Sequence, residues 1–515
     1  MGRKILFITT DQQRYDALGC NGGTVARTPV VDRWAAEGVR FTRGHAQAVV
    51  CMPARSTMIT GQYVRTHGVW MNGVPLPEDS PSVAAWLKDR AGYRTALFGK
   101  AHFEPYLDPK QRFYENRMGR TGEYGPHRGF DHMELAAHGA RGPLHYPVWL
   151  AKNHPQTVDG FYTVLKLPSL EQDSAGGGDT GAIQVKHNPV DRRLYHTDWV
   201  ADRTIAWLDS LPADCDWFCW MSFPDPHHPW DPPQSEIGRH PWQQEKLPAN
   251  WPADRDAALA MMADKPKHWR DWYEGRIVTC FEAPPDFVPA NLSADQLREI
   301  NALTHVENEL IDEACGRVWE AIKRRGWADD TDVLYTTDHG ELQGDFGLLF
   351  KGPYHIDALM RLPFIWKPAK NAGATPGVVD RPVGQLDLAP TFCAIAGLDV
   401  PGWMQGKPLP LSTAEAESQK RERVITEWDS VFKGISLHLR TIYRDGLVCT
   451  VYEKSSLYDD DGSVGELYDC ANDPLQRRNL WNEPAWQARK KDLIADLYAN
   501  LPAERSPKLE AVASV

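Results

Sequence analysis

Lys4-Ile5-Leu6-Phe7-Ile8-Thr9-Thr10, followed at once by Asp11-Gln12, is the stretch that decides the fold. A short, unbroken apolar and β-branched run without alternation predicts a strand buried on both faces, as in a parallel sheet. Three more runs behave alike. Arg94 to Phe98 ends in Gly99-Lys100-Ala101-His102, and Trp217 to Phe223 ends in Pro224-Asp225-Pro226-His227-His228-Pro229. Val333 to Thr337 ends in Asp338-His339-Gly340. Helical patterns at Val83–Arg90, Tyr195–Leu211 and Ala294–Arg325 lie between them. This alternation predicts an α/β protein whose large, mostly parallel sheet is flanked by helices. In such sheets the carboxyl ends of the strands line one crevice, where ligands bind. A single Asp or His after a strand is an ordinary turn residue; four polar strand ends facing one crevice make a candidate site.

Away from these strands the chain is less regular. Residues 103–194 are rich in Gly, Pro, His and Tyr, and 228–292 in Pro and Trp, with no sustained periodicity. Both read as long insertions that wall the crevice. Nine of the 20 Trp fall between 199 and 272, which core packing explains before any aromatic wall for a leaving group. After about residue 420, strand-like runs at Thr441–Tyr443 and Leu447–Tyr452 precede a closing helix, Ala485–Leu501. The expected division is a catalytic α/β domain over 1–415 and a C-terminal α+β subdomain over 416–515. A length of 515 residues, beyond one ordinary core, suits that division.

No run approaches the ~18 apolar residues of a membrane span. Ile5 to Ile8 is too short for a secretory leader, so the expected setting is cytoplasmic, with no membrane partner. The nine cysteines are scattered without a CxxC, and Cys215 to Cys219 has no second pair to complete a zinc site. Reduced thiols follow. A formal charge of −12 argues against nucleic acid as a partner. A small anionic ester is still admissible, because a few cations in a low-dielectric cleft outweigh a diffuse negative surface.

Val49-Val50-Cys51-Met52-Pro53-Ala54-Arg55-Ser56-Thr57-Met58-Ile59-Thr60-Gly61 is the stretch richest in chemistry. Pro53 suits a first helical turn and Gly61 a C-terminal stop. Cys51 then sits at a helix N-terminus, where unpaired N–H groups favour negative charge. Arg55, one turn on, can reach an anion bound there.

Cys-Met-Pro-Ala-Arg resembles the Cys-x-Pro-x-Arg motif of the type I sulfatases, of the alkaline phosphatase superfamily. Gly92 to His102 resembles that family's second signature. The order of parts agrees over nearly the whole chain: Asp near the N-terminus, nucleophile, Gly-Lys segment, Pro-His-x-Pro, Asp-His-Gly, then Lys351 before Gly352. Glu466-Leu467-Tyr468-Asp469 and Asn472-Asp473-Pro474 resemble the family's C-terminal subdomain.

The resemblance implies an alkaline phosphatase-like fold and a formylglycine made from Cys51 by a formylglycine-generating enzyme. It also implies one divalent metal held by Asp11, Gln12, Asp338 and His339. The usual sulfatase set is three Asp and one Asn with calcium; Gln12 and His339 depart from it and look like the phosphonate monoester hydrolases of the same superfamily. A nitrogen donor suits Mn²⁺ better than Ca²⁺, so Mn²⁺ is expected first and Ca²⁺ second. Lys100 and His102 match the sulfatase signature instead, so the chain mixes the two patterns. Arg55, Lys100 and Lys351 would offset charge on the ester, and His227 or Lys351 would protonate the leaving oxygen. His102 is the candidate base for the remaining hydroxyl of residue 51, and Asn72 a candidate substrate contact. His228 and His355 read as supporting or surface residues. The expected activity is sulfate monoester hydrolysis, with phosphonate monoesters and phosphodiesters as side substrates. The nearest alternative makes phosphonate monoesters or phosphodiesters the main substrates. A binding protein with unmodified Cys51 is the rival of a different class. Relatives suggest a homo-oligomer, dimer or tetramer.

Overall fold

The computed structural model describes residues 2–513 except 109, 167–170, 173 and 281. Its central sheet has eight strands: β1 (Lys4–Thr10), β2 (Val39–Phe41), β3 (Arg94–Gly99), β4 (His132–Leu135), β5 (Trp217–Ser222), β6 (Thr331–Thr337), β7 (Phe364–Lys367) and β8 (Gly377–Val379). They lie in the order β8-β2-β7-β6-β1-β5-β3-β4. The five strands from β6 to β4 are parallel, and β7 runs antiparallel to both its neighbours. Register aligns the carboxyl ends: Thr10 pairs with Thr337, Thr9 with Ser222, and Ser222 with Gly99. Residues that follow these strands therefore emerge at one level.

Period-two geometry explains why β1 is apolar throughout. Ile5 and Phe7 pack into a core with Leu97, Trp220 and Phe392, while Leu6 and Ile8 pack into the opposite one with Val306, Leu310 and Ile311. Burying each such side chain stabilises by about 1.5–3 kcal/mol. The helices that matter below are α1 (Cys51–Thr60), α2 (Val83–Ala91), α3 (His196–Ser210), α4 (Ala294–Arg324) and α5 (Gln487–Asn500). The long α4 starts from a reciprocal capping box of Ser293 and Gln296 and packs beside α3.

Strands β9 (Arg423–Phe432), β10 (Ile435–Arg444), β11 (Leu447–Tyr452) and β12 (Gly465–Asp469) form an antiparallel meander. Leu493 and Leu497 of α5 close it against Ile442, Cys449 and Leu467. His355 reaches across to it, with Nδ1 2.6 Å from Thr441 Oγ1.

Two sequence expectations need adjustment. The insertion 103–194 is not all loop, because it supplies β4, the edge strand beside β3, and a helix at His145–Asn153. β10 begins at Ile435, well before Thr441; its polar Ser436, His438 and Arg440 alternate with Leu437 and Leu439, the pattern of a half-covered strand. Most of the clustered tryptophans are core residues: Trp217, Trp220, Trp230, Trp269 and Trp272 are each at most 1% exposed. Among the described residues, no helix is long and apolar enough to cross a membrane.

Candidate active site

The floor of the crevice is set by strand register. Asp11 leaves β1 and Asp338 leaves β6, both fully buried. Asp338 Oδ1 accepts the backbone N–H of Gln12 at 3.0 Å and of His339 at 2.9 Å, and Oδ2 accepts Arg55 Nε at 3.0 Å. The His339 ring lies with Nδ1 2.9 Å from Gly340 O. That contact directs Nε2 inward, 3.2 Å from Cys51 Sγ and 3.9 Å from Asp11 Oδ1. Burial keeps this imidazole below its ordinary range and therefore neutral. Donor atoms of Asp11, Cys51, Asp338 and His339 all lie within 4.8 Å of one another. Two carboxylates and a neutral imidazole oriented by a carbonyl are a donor set that fits a divalent transition ion.

Gln12 has a left-handed backbone, φ 63°, at the tip of β1. Its backbone N–H joins the floor, but its amide faces away: Oε1 accepts Lys351 Nζ at 2.7 Å, and Nε2 donates to Glu341.

Cys51 begins α1, every residue of which is buried. Val50 before it is extended, and Gly61 ends the helix at φ 68°. Burial first, and then the Asp11 charge, push the Cys51 thiol well above the ordinary range, so the thiolate is disfavoured. Arg55 directs its guanidinium at the carboxylates and backbone rather than at open space. Nη1 donates to Lys100 O at 2.7 Å and Ser222 Oγ at 2.8 Å, and Nη2 lies 3.6 Å from Asp11.

Lys100 follows Gly99, whose φ of 99° and close approach to β5 admit no side chain; a Cβ would lie 1.7 Å from Ser222 O. Its ammonium pairs with Asp11 and lies 3.0 Å from His138 Nε2. Burial alone would raise the Asp11 carboxyl, but the Lys100 and Arg55 charges, with a hydrogen bond from His138, hold it well below the usual range. His102, at φ 57°, is buried with neither ring nitrogen hydrogen-bonded. Burial, Lys100 and Arg55 keep it neutral, the state a base requires.

Opposite stands a wall. His227 Nε2 is 2.9 Å from both Glu282 Oε2 and Lys351 Nζ, and Lys351 is ion-paired with Glu282. Asn72 links wall to floor: Oδ1 accepts Met52 N at 3.0 Å, and Nδ2 donates to Glu282 Oε1 at 3.1 Å. Burial would raise Glu282, yet Lys351, His228 and Lys100 bring it down to about 2. Burial, His138 and Lys351 keep His227 neutral. Burial would lower Lys351, but the Glu282 and Asp11 carboxylates raise it above its usual range.

The candidate catalytic, metal and substrate residues of the sequence thus meet in one buried cluster, whereas His355 lies against Thr441 of the meander. Three more residues that the sequence reading missed share the cluster. Glu282 comes from the insertion 228–292 and His138 from 103–194, where it stacks on His227 at 3.9 Å. Glu341, pushed up to about 7 by burial, directly follows Asp338-His339-Gly340, and that adjacency was a usable signal. Arg55, Lys100 and Lys351 balance Asp11, Asp338 and Glu282 in charge, so a bound divalent ion would turn the pocket positive, as an anionic ester requires.

The parallel sheet with this cluster at its carboxyl edge is the architecture of an alkaline phosphatase-like fold. The sulfatase family profile matches residues 3–398, and the profile of the N-sulphoglucosamine sulphohydrolase C-terminal region matches 344–502. The chain therefore belongs to the sulfatase family of ester hydrolases. It is 27% identical over 478 residues to an uncharacterized sulfatase of Escherichia coli (strain K12), covering 92% of this chain and 82% of that one. It is 25% identical to an arylsulfatase of Clostridium perfringens (strain 13 / Type A), covering 96% and 95%. Among solved structures, the phosphonate monoester hydrolase of Agrobacterium radiobacter superimposes with a TM-score of 0.77 at 24% identity, covering 96% of this chain and 95% of that one.

Proposed function

We propose that the chain is a formylglycine- and metal-dependent hydrolase of sulfate monoesters that also turns over phosphonate monoesters and phosphodiesters more slowly. The observation that carries this reading is the setting of Cys51. Its sulfur lies 3.2 Å from His339 Nε2 and 3.7 Å from Asp11 Oδ1, in a place where a thiolate is disfavoured. A hydroxyl-bearing residue 51 suits that place better than a thiol. Because Cys51 is 0% exposed, a formylglycine-generating enzyme must act on the segment before it folds.

Asp11, Asp338 and His339 would hold the ion, Mn²⁺ before Ca²⁺, with Gln12 completing the set once its amide turns from Lys351. When bound, the ion supplies Lewis acidity and makes a hydroxyl on hydrated residue 51 nucleophilic near neutral pH. Arg55 holds Asp11 and Asp338 in place, and Lys100 offsets charge on the non-bridging oxygens. Lys351, charged and held by His227 and Glu282, delivers a proton to the leaving alcohol oxygen. His227, kept neutral, orients that ammonium. His102 takes the proton from the second hydroxyl of residue 51, which allows sulfate to leave.

Cys51→Ala should abolish turnover of an aryl sulfate while leaving the circular dichroism spectrum and melting unchanged. Substantial residual activity in that variant would rule the scheme out. The nitrogen donor of His339 favours a second reading, in which phosphonate monoesters or phosphodiesters are the main substrates. Comparing kcat/KM for an aryl sulfate and an aryl phenylphosphonate decides between them.

A further inference from the structure

Two residues past His102, outside the crevice cluster, Glu104 and Glu115 bring two carboxylates together in the protein interior, each about 1% exposed. His127 faces both: its Nε2 lies 3.5 Å from Glu104 Oε1 and 4.0 Å from Glu115 Oε1. Among the described residues, Glu115 Oε1 and His127 Nε2 are buried without a hydrogen-bond partner. One guanidinium among the described residues, Arg128, serves the pair, with Nη2 2.9 Å from Glu104 Oε1. Two like charges at this depth need either a shared proton or a second cation.

The geometry points to a second metal site, a structural one, in which Glu104, Glu115 and His127 bind Zn²⁺. Ions held at 2.0–2.2 Å in a tetrahedral shell separate their donors by about 3.4 Å, and small side-chain adjustments close 3.5 and 4.0 Å to that value. An imidazole with two carboxylates is a ligand set that zinc takes. The outer contacts are of the kind that orient metal ligands. Glu104 Oε1 also accepts Arg128, and Glu104 Oε2 accepts the Glu115 backbone N–H at 3.0 Å. A metal here ties the segment that carries Lys100 and His102 to residues 115 and 127, so it would fix the crevice edge without touching substrate.

Metal content after dialysis against zinc, measured by plasma mass spectrometry, tests the assignment. Wild type should hold one zinc per chain more than Glu115→Gln, whatever the crevice binds, and Asp338→Asn should keep this ion. Zinc added after chelation should raise the melting temperature of wild type more than that of the Glu115 variant. His127→Gln serves as a second variant if Glu115→Gln fails to fold. Equal zinc content in wild type and in either folded variant would overturn the site and leave a shared proton as the balancing charge.

Discussion

Asp11, Cys51, Asp338 and His339, on the floor of the crevice, stand at the ends of regular elements, whereas His138 and Glu282, on its wall, come from irregular insertions. Floor positions are fixed by backbone register between strands ~4.8 Å apart. The wall is fixed by side-chain contacts that converge on Lys351 and His227. Under the proposed scheme, bond-breaking belongs to the floor and the tuning of the leaving group to the wall.

The sharpest way to break the comparison is at the floor. Asp338→Asn should lower kcat/KM by about 10³-fold or more, the scale expected when charge stabilisation at the reacting centre is lost. It should also cost about 3 kcal/mol of stability, because buried Arg55 loses its nearest charged partner; denaturant melts read that cost. Next in size, chelation should remove activity on aryl sulfates, and Mn²⁺ should restore it better than Ca²⁺. Restoration by Ca²⁺ alone would refute the metal preference.

At the wall the expected effect is smaller and selective. Glu282→Gln frees Lys351 and should slow esters of poor leaving groups by about 10- to 100-fold while sparing good ones. A uniform loss across leaving groups would mean that Glu282 supports the fold and does not position the proton donor.

The last effect falls on stability and pH, at the support beneath the floor. His67 accepts Val69 N at 3.1 Å and lies 3.1 Å from Thr57 Oγ1 of α1. Burial, helped by Arg505, lowers its pKa to about 3. The unfolded chain takes up this proton near 6.5, whereas the folded chain refuses it until about 3. This residue therefore makes stability fall as pH drops below 6.5, by about 1.4 kcal/mol per unit. His67→Asn should flatten the stability–pH curve between pH 6.5 and 4 by that slope; an unchanged slope would refute the assignment.

How much could be read in the sequence follows the same boundary. β1, β3, β5 and β6 were legible because burial on both faces leaves an unbroken apolar run, and the polar residues after each run mark the crevice. The start of α1 was legible from Pro53 and Gly61. β4 was hidden because an edge strand of four residues carries little pattern. Glu282 and His138 were hidden because a lone charged residue in a Pro-rich or Gly-rich insertion reads as surface until the fold turns it inward. The direction of Gln12 was also beyond the sequence: a single left-handed residue decides that its amide meets Lys351.

A mass spectrum of the peptide spanning Cys51, taken from protein made in a host with the oxidising machinery, tests the central claim most directly. The account predicts a loss of about 18 Da, the difference between a CH₂SH and a CHO side chain. An intact thiol in fully active enzyme would contradict it, because the nucleophile would then be something other than residue 51 in its oxidised form.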